Sequence, residues 1–322
     1  MKNYIRAGET FPRVAGRTIP AWDTLAVLPA ASAAGACSCA DKRGTGRYIY
    51  HLLAAAGFWR YDTWTNAWQQ LASPAAVTFA AGACMCFDPS RGTAGYVWLF
   101  APKAAGNWAY LYYFDVAAGT WSADQGVAGM ALGAQWGTDG SLVHPCTTYD
   151  AGGNDDKLFL VGNNATPIYQ YVISTTTWTA LANPCPATMG AGCCIEWEYG
   201  VDNTKFIVMR GTASVTFWTM TLANVWSGAL AILNNNETYT TGSVADYVPP
   251  KHLYIKKDAT TRIFRIDLAA LDLRAIRTFS GTDGAAIAGD GLVCMRSKEG
   301  RKYLYYRALS NTNHYRVILG EA

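Results

Sequence analysis

The sequence predicts an all-β fold, a six-bladed β-propeller of four-stranded antiparallel blades, with the last blade closed by an N-terminal strand. Three observations predict it. A motif of aromatic strand, short polar turn and Trp recurs along the chain. A run of small residues precedes each copy, and the final repeat ends one strand short.

The motif runs from Phe58 to Trp68, Tyr113 to Trp121, Tyr169 to Trp178 and Phe217 to Trp226, and each copy reads as strand, turn, strand. A fifth copy, Ile263 to Leu273, keeps the alternation and Asp267 but has Leu273 where the others have Trp. Trp22 stands alone near the start. From Trp22 through these markers the spacings are 46, 53, 57, 48 and 47 residues, close to the roughly 40 to 50 residues of a propeller blade. Two more strand-like runs lie upstream of each marker, such as Tyr96 to Phe100 and Lys157 to Val161.

The expected innermost strands are Gly35 to Cys39, Gly82 to Cys86, Ser141 to Cys146, Gly192 to Glu196, Gly242 to Ala245 and Gly291 to Cys294. Their small residues suit the crowding near a propeller axis. The sixth repeat has Gly291 to Ser297, Lys302 to Ala308 and His314 to Leu319, so Trp22 to Leu28 is the strand that completes it. Closing the ring in this way removes an exposed sheet edge. The organisation expected is an N-terminal arm over 1–19 and one propeller over 20–322. Its blades fall near 31–73, 78–127, 138–183, 188–233, 238–279 and 287–320, the last joined by 20–29. Only Leu268 to Ile276 approaches a helical apolar period, and the repeat context overrides it.

Composition narrows the function classes. The chain has 322 residues, 51% hydrophobic and 15% charged, with a net charge of +3. Disorder is excluded, and the basic excess is too small to announce a nucleic-acid binder. No apolar run reaches the roughly 18 residues of a membrane span, and the opening residues lack the apolar core of a signal peptide. Nine cysteines are an odd number, so full intramolecular pairing is impossible. They are expected to be inert, buried small residues.

Paired aromatics in the third strand, an Asp opening the turn and a Trp starting the fourth strand resemble the kelch-type propeller repeat. Tyr61-Asp62 with Trp68 and Phe114-Asp115 with Trp121 match it best, while the family's double glycine is replaced by Ala54-Ala55, Lys103-Ala104 or single Gly162 and Gly211. The resemblance covers residues 20 to 320 and implies the propeller fold. It implies no single activity, because the family spans interaction modules, sugar-processing enzymes and virus structural proteins.

Candidate site residues follow from chemistry and position. Trp68, Trp121, Trp178 and Trp226 sit where the family's Trp packs between blades. Trp108 and Trp136 lie outside that position and, with His144, are the candidate glycan contacts at the axial mouth. The four histidines, 51, 144, 252 and 314, are expected not to converge, so neither a metal, nor a cofactor, nor a copper radical site of the kelch-like oxidase type is expected. No Gly-x-Ser-x-Gly elbow occurs, and Glu196 and Glu198 read as solvated or satisfied acids.

Charge collects in two places. Residues 251 to 316 carry 13 Lys and Arg against 6 Asp and Glu, making blades five and six a basic sector. The loops joining first to second strands also gather charge, and Lys42, Arg43, Arg47, Arg91, Lys298, Arg301 and Lys302 are the candidate docking face. The expectation is a non-enzymatic structural or interaction propeller in a larger assembly, with a phage or virus particle as the setting and other protein subunits as partners. No nucleic acid or membrane insertion is expected. The alternative is a glycan-binding or sugar-modifying propeller.

Overall fold

A computed structural model describes residues 23–33, 35–42, 45–53, 57–74, 82–102, 109–125, 140–143, 156–162, 167–198, 205–257, 260, 262–278, 291–296, 301–307 and 312–319. The arm over 1–19 lies outside them. The fold is all-β with six antiparallel sheets arranged as a six-bladed propeller. Blade one comprises β2 (Cys37–Ala40), β3 (Tyr48–Leu52), β4 (Phe58–Asp62) and β5 (Ala67–Leu71). Blade two comprises β6 (Cys84–Asp88), β7 (Tyr96–Pro102), β8 (Ala109–Asp115) and β9 (Thr120–Trp121). Blade three comprises β10 (Gly140–Val143), β11 (Lys157–Gly162), β12 (Tyr169–Val172) and β13 (Thr177–Ala180).

Blade four has β14 (Cys194–Trp197), β15 (Lys205–Met209) and β16 (Phe217–Thr221), and its outer strand contracts to one antiparallel bridge between Met220 and Trp226. Blade five has β17 (Val244–Val248), β18 (His252–Lys256), β19 (Arg262–Asp267) and β20 (Asp272–Thr278). Blade six has β21 (Gly291–Arg296), β22 (Lys302–Arg307) and β23 (His314–Ile318), and β1 (Asp23–Thr24) completes it. The register pairs Asp23 with Arg316 and Thr24 with Tyr315. Leu25 and Leu28 extend the pairing by donating to the carbonyls of His314 and Thr312. The ring therefore closes as the repeat pattern requires.

Two local devices recur. The glycines expected to begin the inner strands, Gly35, Gly82, Gly192 and Gly242, have φ of 86°, 90°, 78° and 88°. They belong instead to turns just before those strands, because β-carbons are disfavoured in that region. At Gly192 a β-carbon would also lie 2.0 Å from the Thr240 carbonyl oxygen. The second device closes the turn between third and fourth strands. Asp62 accepts from the backbone of Trp64 and Thr65, Asp115 from Ala117 and Ala118, and Asp267 from Ala269 and Ala270. In blade three Asp156 fills that place by accepting from Ser174 N at 2.9 Å.

Six apolar clusters occupy the spaces between successive blades. Tyr50, Leu52 and Phe58 of blade one pack with Val97, Leu99 and Phe114 of blade two, and Trp98 and Phe100 of blade two pack with Leu158 and Tyr171 of blade three. The remaining pairs follow round the ring, ending where Ile49 and Tyr61 of blade one meet Val293 and Tyr305 of blade six. Each fully buried aliphatic or aromatic side chain contributes about 1.5–3 kcal/mol, so the interfaces are the core. The segment Leu268 to Ile276 is turn and strand rather than helix. Among the described residues no helix is long and apolar enough to cross a membrane.

Candidate functional site

Antiparallel alternation puts the loops between first and second strands, and the turns between third and fourth strands, on one face of the ring. Lys42, Arg47, Arg91, Arg301 and Lys302 therefore share that face. Arg43 and Lys298 lie outside the described residues, as do Trp108, Trp136 and His144.

Much of the charge on this face ties strands and blades together. Lys42 of blade one pairs with Asp246 of blade five, and the other oxygen of that carboxylate accepts from Cys294 N of blade six. Arg91 of blade two reaches Asp156 of blade three at 2.5 Å. Lys302 of blade six donates to the Pro249 carbonyl of blade five at 2.8 Å. Arg301 is exposed.

Blade one presents the most developed surface. Arg47 Nε donates to Asp62 Oδ2 at 2.9 Å, and its guanidinium lies 5.0 Å from the ring centres of both Tyr48 and Trp64. Arg60 covers the Tyr48 ring at 4.2 Å. Trp64 is 44% exposed. Burial opposes ionisation of Asp62, but the hydrogen bonds from Arg47 and the turn amides outweigh it and hold the carboxyl below its ordinary range. The result is an exposed indole beside a fixed, permanently charged guanidinium.

The marker tryptophans join blades, as their repeat position implies. Trp68 Nε1 donates to the Ala26 carbonyl at 3.0 Å, Trp121 to Ala72 at 2.6 Å and Trp226 to Asn183 at 3.1 Å. Trp178 packs against Tyr171 of its own blade and Phe100 of blade two.

The eight described cysteines are buried and form no disulfides. Loss of hydration pushes the Cys37 and Cys185 thiols up to about 12, and those of Cys39 and Cys84 well upward. Since the thiolate is the nucleophile and metal ligand, these groups are poorly disposed to either role. Glu198 is buried and pairs with Lys205 at 3.3 Å. Among the described residues no three His, Cys, Asp or Glu side chains form a metal-binding group.

The histidines correct one expectation. His51 and His314 do converge, with ring centres 5.6 Å apart across the boundary between blades one and six. His252 lies elsewhere, 3.8 Å from Asp267. Ser38 Oγ and His51 Nδ1 are 2.9 Å apart, and Arg307 Nε is 3.3 Å from the same hydroxyl. Gly291 makes room for this group, since a β-carbon there would meet Ser38 Oγ at 2.7 Å and Arg307 Nε at 3.1 Å. The ladder registers show how the sequence could have disclosed it. Arg307 occupies the place held by Leu52, Phe100 and Met209 in other blades, and Lys256 does so in blade five.

Fold and site together define a six-bladed β-propeller whose described ion pairs fasten strands within blades, while Lys42, Arg91 and Lys302 tie one blade to another. No protein-family model matches the chain, and no curated protein sequence matches it. Solved structures do. An auxiliary nutrient binding protein from Bacteroides ovatus superposes with a TM-score of 0.59 at 12% identity, covering 94% of this chain and 73% of that one. A chain of the nidogen/laminin complex gives 0.55 at 10% identity, covering 80% and 83%. Streptogramin B lyase gives 0.53 at 10% identity, covering 93% and 98%. At these identities the likeness shows the propeller fold and no activity.

Proposed function

We propose that this chain is a non-enzymatic interaction propeller that docks a protein partner on its loop face as a component of a larger assembly. The observation that carries the reading is the exposed Trp64 beside Arg47, whose guanidinium Asp62 and Tyr48 hold in place. Tryptophan and arginine are the residues most enriched at the energetic centres of protein interfaces, and a side chain already ordered loses less freedom on binding. Lys42, Arg43, Arg91, Lys298, Arg301 and Lys302 complete the proposed face. A kelch-like ancestry is part of the proposal, supported by the turn aspartates and the blade-joining indoles. A phage or virus particle is the proposed setting, a role the kelch resemblance accommodates. Nucleic acid is not a proposed partner, because a net charge of +3 gives few phosphate contacts.

Likeness to a nutrient-binding protein favours a second reading, a glycan-binding or sugar-modifying propeller using Trp108, Trp136 and His144 at the axial mouth. One experiment separates the two. Native source material is fractionated by size and each fraction examined for this chain by peptide mass spectrometry. Recovery at stoichiometric amounts in a large particle is expected, and paired Arg47→Glu and Trp64→Ala changes should weaken its incorporation at least tenfold. Recovery only as a free species near 34.8 kDa, with glycan binding lost in Trp108→Ala, would replace the first reading with the second.

A further inference from the structure

The boundary between blades six and one buries two imidazoles that the docking role does not use. His51 on β3 is 2% exposed and His314 on β23 is 1% exposed. Trp68 lies 5.0 Å from the first ring and 5.2 Å from the second, while Tyr61 lies 4.6 Å and Tyr305 6.1 Å from His314. Neither nitrogen of His314 has a hydrogen-bond partner, nor does Nε2 of His51. Arginine only donates, so Ser38 Oγ accepts from Arg307, and the contact between that hydroxyl and His51 Nδ1 runs in the direction the imidazole tautomer sets.

The other ionisable groups around the pair make a positive charge there costly. Arg307, cross-strand from His314, is the cation acting on both rings. Arg316 on β23 is engaged with Asp23 at 3.1 Å, and Asp62 on β4 is engaged with Arg47. Tyr61 on β4, Tyr305 on β22 and Cys37 on β2 are held neutral chiefly by burial. Among the described residues no carboxylate pairs with either imidazole.

The place matters as much as the chemistry. Every other blade is one continuous stretch of chain, whereas blade six joins β21–β23 to the N-terminal β1, from which the chain runs on into blade one, so backbone pairing and side chains alone hold that seam. We propose that this seam is an acid-sensitive latch: protonation of His51 and His314 opens the ring where β1 closes it, leaving the other blade boundaries shut. Either imidazolium sets a second cation near Arg307 in an apolar space, and His314 has no hydrogen-bond partner to receive its protons.

The direction of the pH effect follows from linkage. Burial, reinforced by Arg307, holds His314 down at about 3 against an ordinary 6.5, and His51 is lowered for the same reasons with His314 adding to them. The open seam therefore binds protons that the closed seam refuses. Closure is fully favoured above about pH 6.5 and is lost progressively as pH falls below it, each histidine raising the opening constant about tenfold per pH unit.

Amide hydrogen exchange on the full chain from pH 7.5 to 5, corrected for intrinsic rates, tests the latch. Peptides covering residues 23–28, 48–53 and 312–319 should lose protection about tenfold or more per pH unit below about pH 6.5, while those covering 205–221 in blade four hold theirs. His314→Phe should flatten the slope, and His252→Gln should leave it intact. Protection at the seam that does not vary with pH, a fall shared equally by blade four, or an unchanged slope in His314→Phe would overturn the proposal. Should His314→Phe fail to fold, the regional comparison in the unaltered chain decides the matter alone.

Discussion

A single indole nitrogen joins two blades at Trp68, Trp121 and Trp226, in each case by donating to a carbonyl in the preceding blade of the ring. Trp121 is the clearest case for measurement, because its ring also packs edge-on against Phe58 at 4.9 Å and lies 5.4 Å from Phe114. Trp121→Phe keeps most of that ring contact and deletes the N–H. A loss of about 0.5–1.5 kcal/mol is expected, the net worth of one hydrogen bond, read as a lower denaturation midpoint with unchanged slope. An unchanged midpoint would mean that water replaces the indole at no cost. The recurrence of these tryptophans is legible in the sequence because their spacing is that of the blades. Their carbonyl partners are not, since Ala26, Ala72 and Asn183 carry no side-chain signal for a backbone acceptor. His51 and His314 were missed for a related reason. They sit on a second and a third strand, and their meeting depends on how the faces of two blades register across the closure, which no local periodicity encodes.

At the scale of elements, the turn into the outer strand repeats more faithfully than the outer strand itself. The residue two before each marker has positive φ in five blades: Asn66 at 54°, Gly119 at 71°, Thr176 at 52°, Asn224 at 58° and Leu271 at 48°. Asn and Gly accept that region readily, whereas a leucine there carries a steric cost of roughly 1–2 kcal/mol. Leu271→Gly relieves it while enlarging the freedom of the unfolded chain, so a net gain of about 0.5–1 kcal/mol in unfolding free energy is expected. A loss of stability would show that the Leu271 side chain, half-buried in place, contributes more by packing than its backbone costs. Blade four shows where pattern reading reaches its limit. Its marker Trp226 is present, but the interval from Thr221 is one residue shorter than from Asp62 to Trp68 or from Asp115 to Trp121. Ser227 and Gly228 follow at once, and the strand contracts to a bridge. The chain then crosses toward blade five, where Leu233 N donates to Leu271 O at 2.7 Å and Leu233 O accepts from Leu273 N at 3.0 Å. A marker residue shows that a blade is present, but the length of the turn before it governs how much strand can form.

For the whole molecule, stability rests on a ring in which each blade's two faces are covered by its neighbours, so the closure must be worth an entire interface. Leu25 shows how β1 contributes beyond its two paired residues: it is 6% exposed and packs among Ala40, Ile49, Tyr61, Val293, Met295 and Tyr305, side chains of blades one and six. Trp68 draws on the same segment through Ala26, and Ala26 N donates in turn to Asn66 Oδ1 at 2.9 Å. A chain lacking residues 1–28 therefore loses the outer strand of blade six, the wedge of Leu25 and the acceptor of Trp68 together. It also leaves the backbone donors and acceptors of β23 open to another chain. We expect such a chain to associate with itself and to unfold over a broad transition, and a peptide covering residues 20–30 supplied in trans to restore both the monomer and the cooperative transition. Sedimentation and calorimetry with and without the peptide are the measurements. A truncated chain that stays monomeric and melts at the original temperature would show that blades one and six hold each other without β1, and the closure would then lie in side-chain packing rather than in strand exchange.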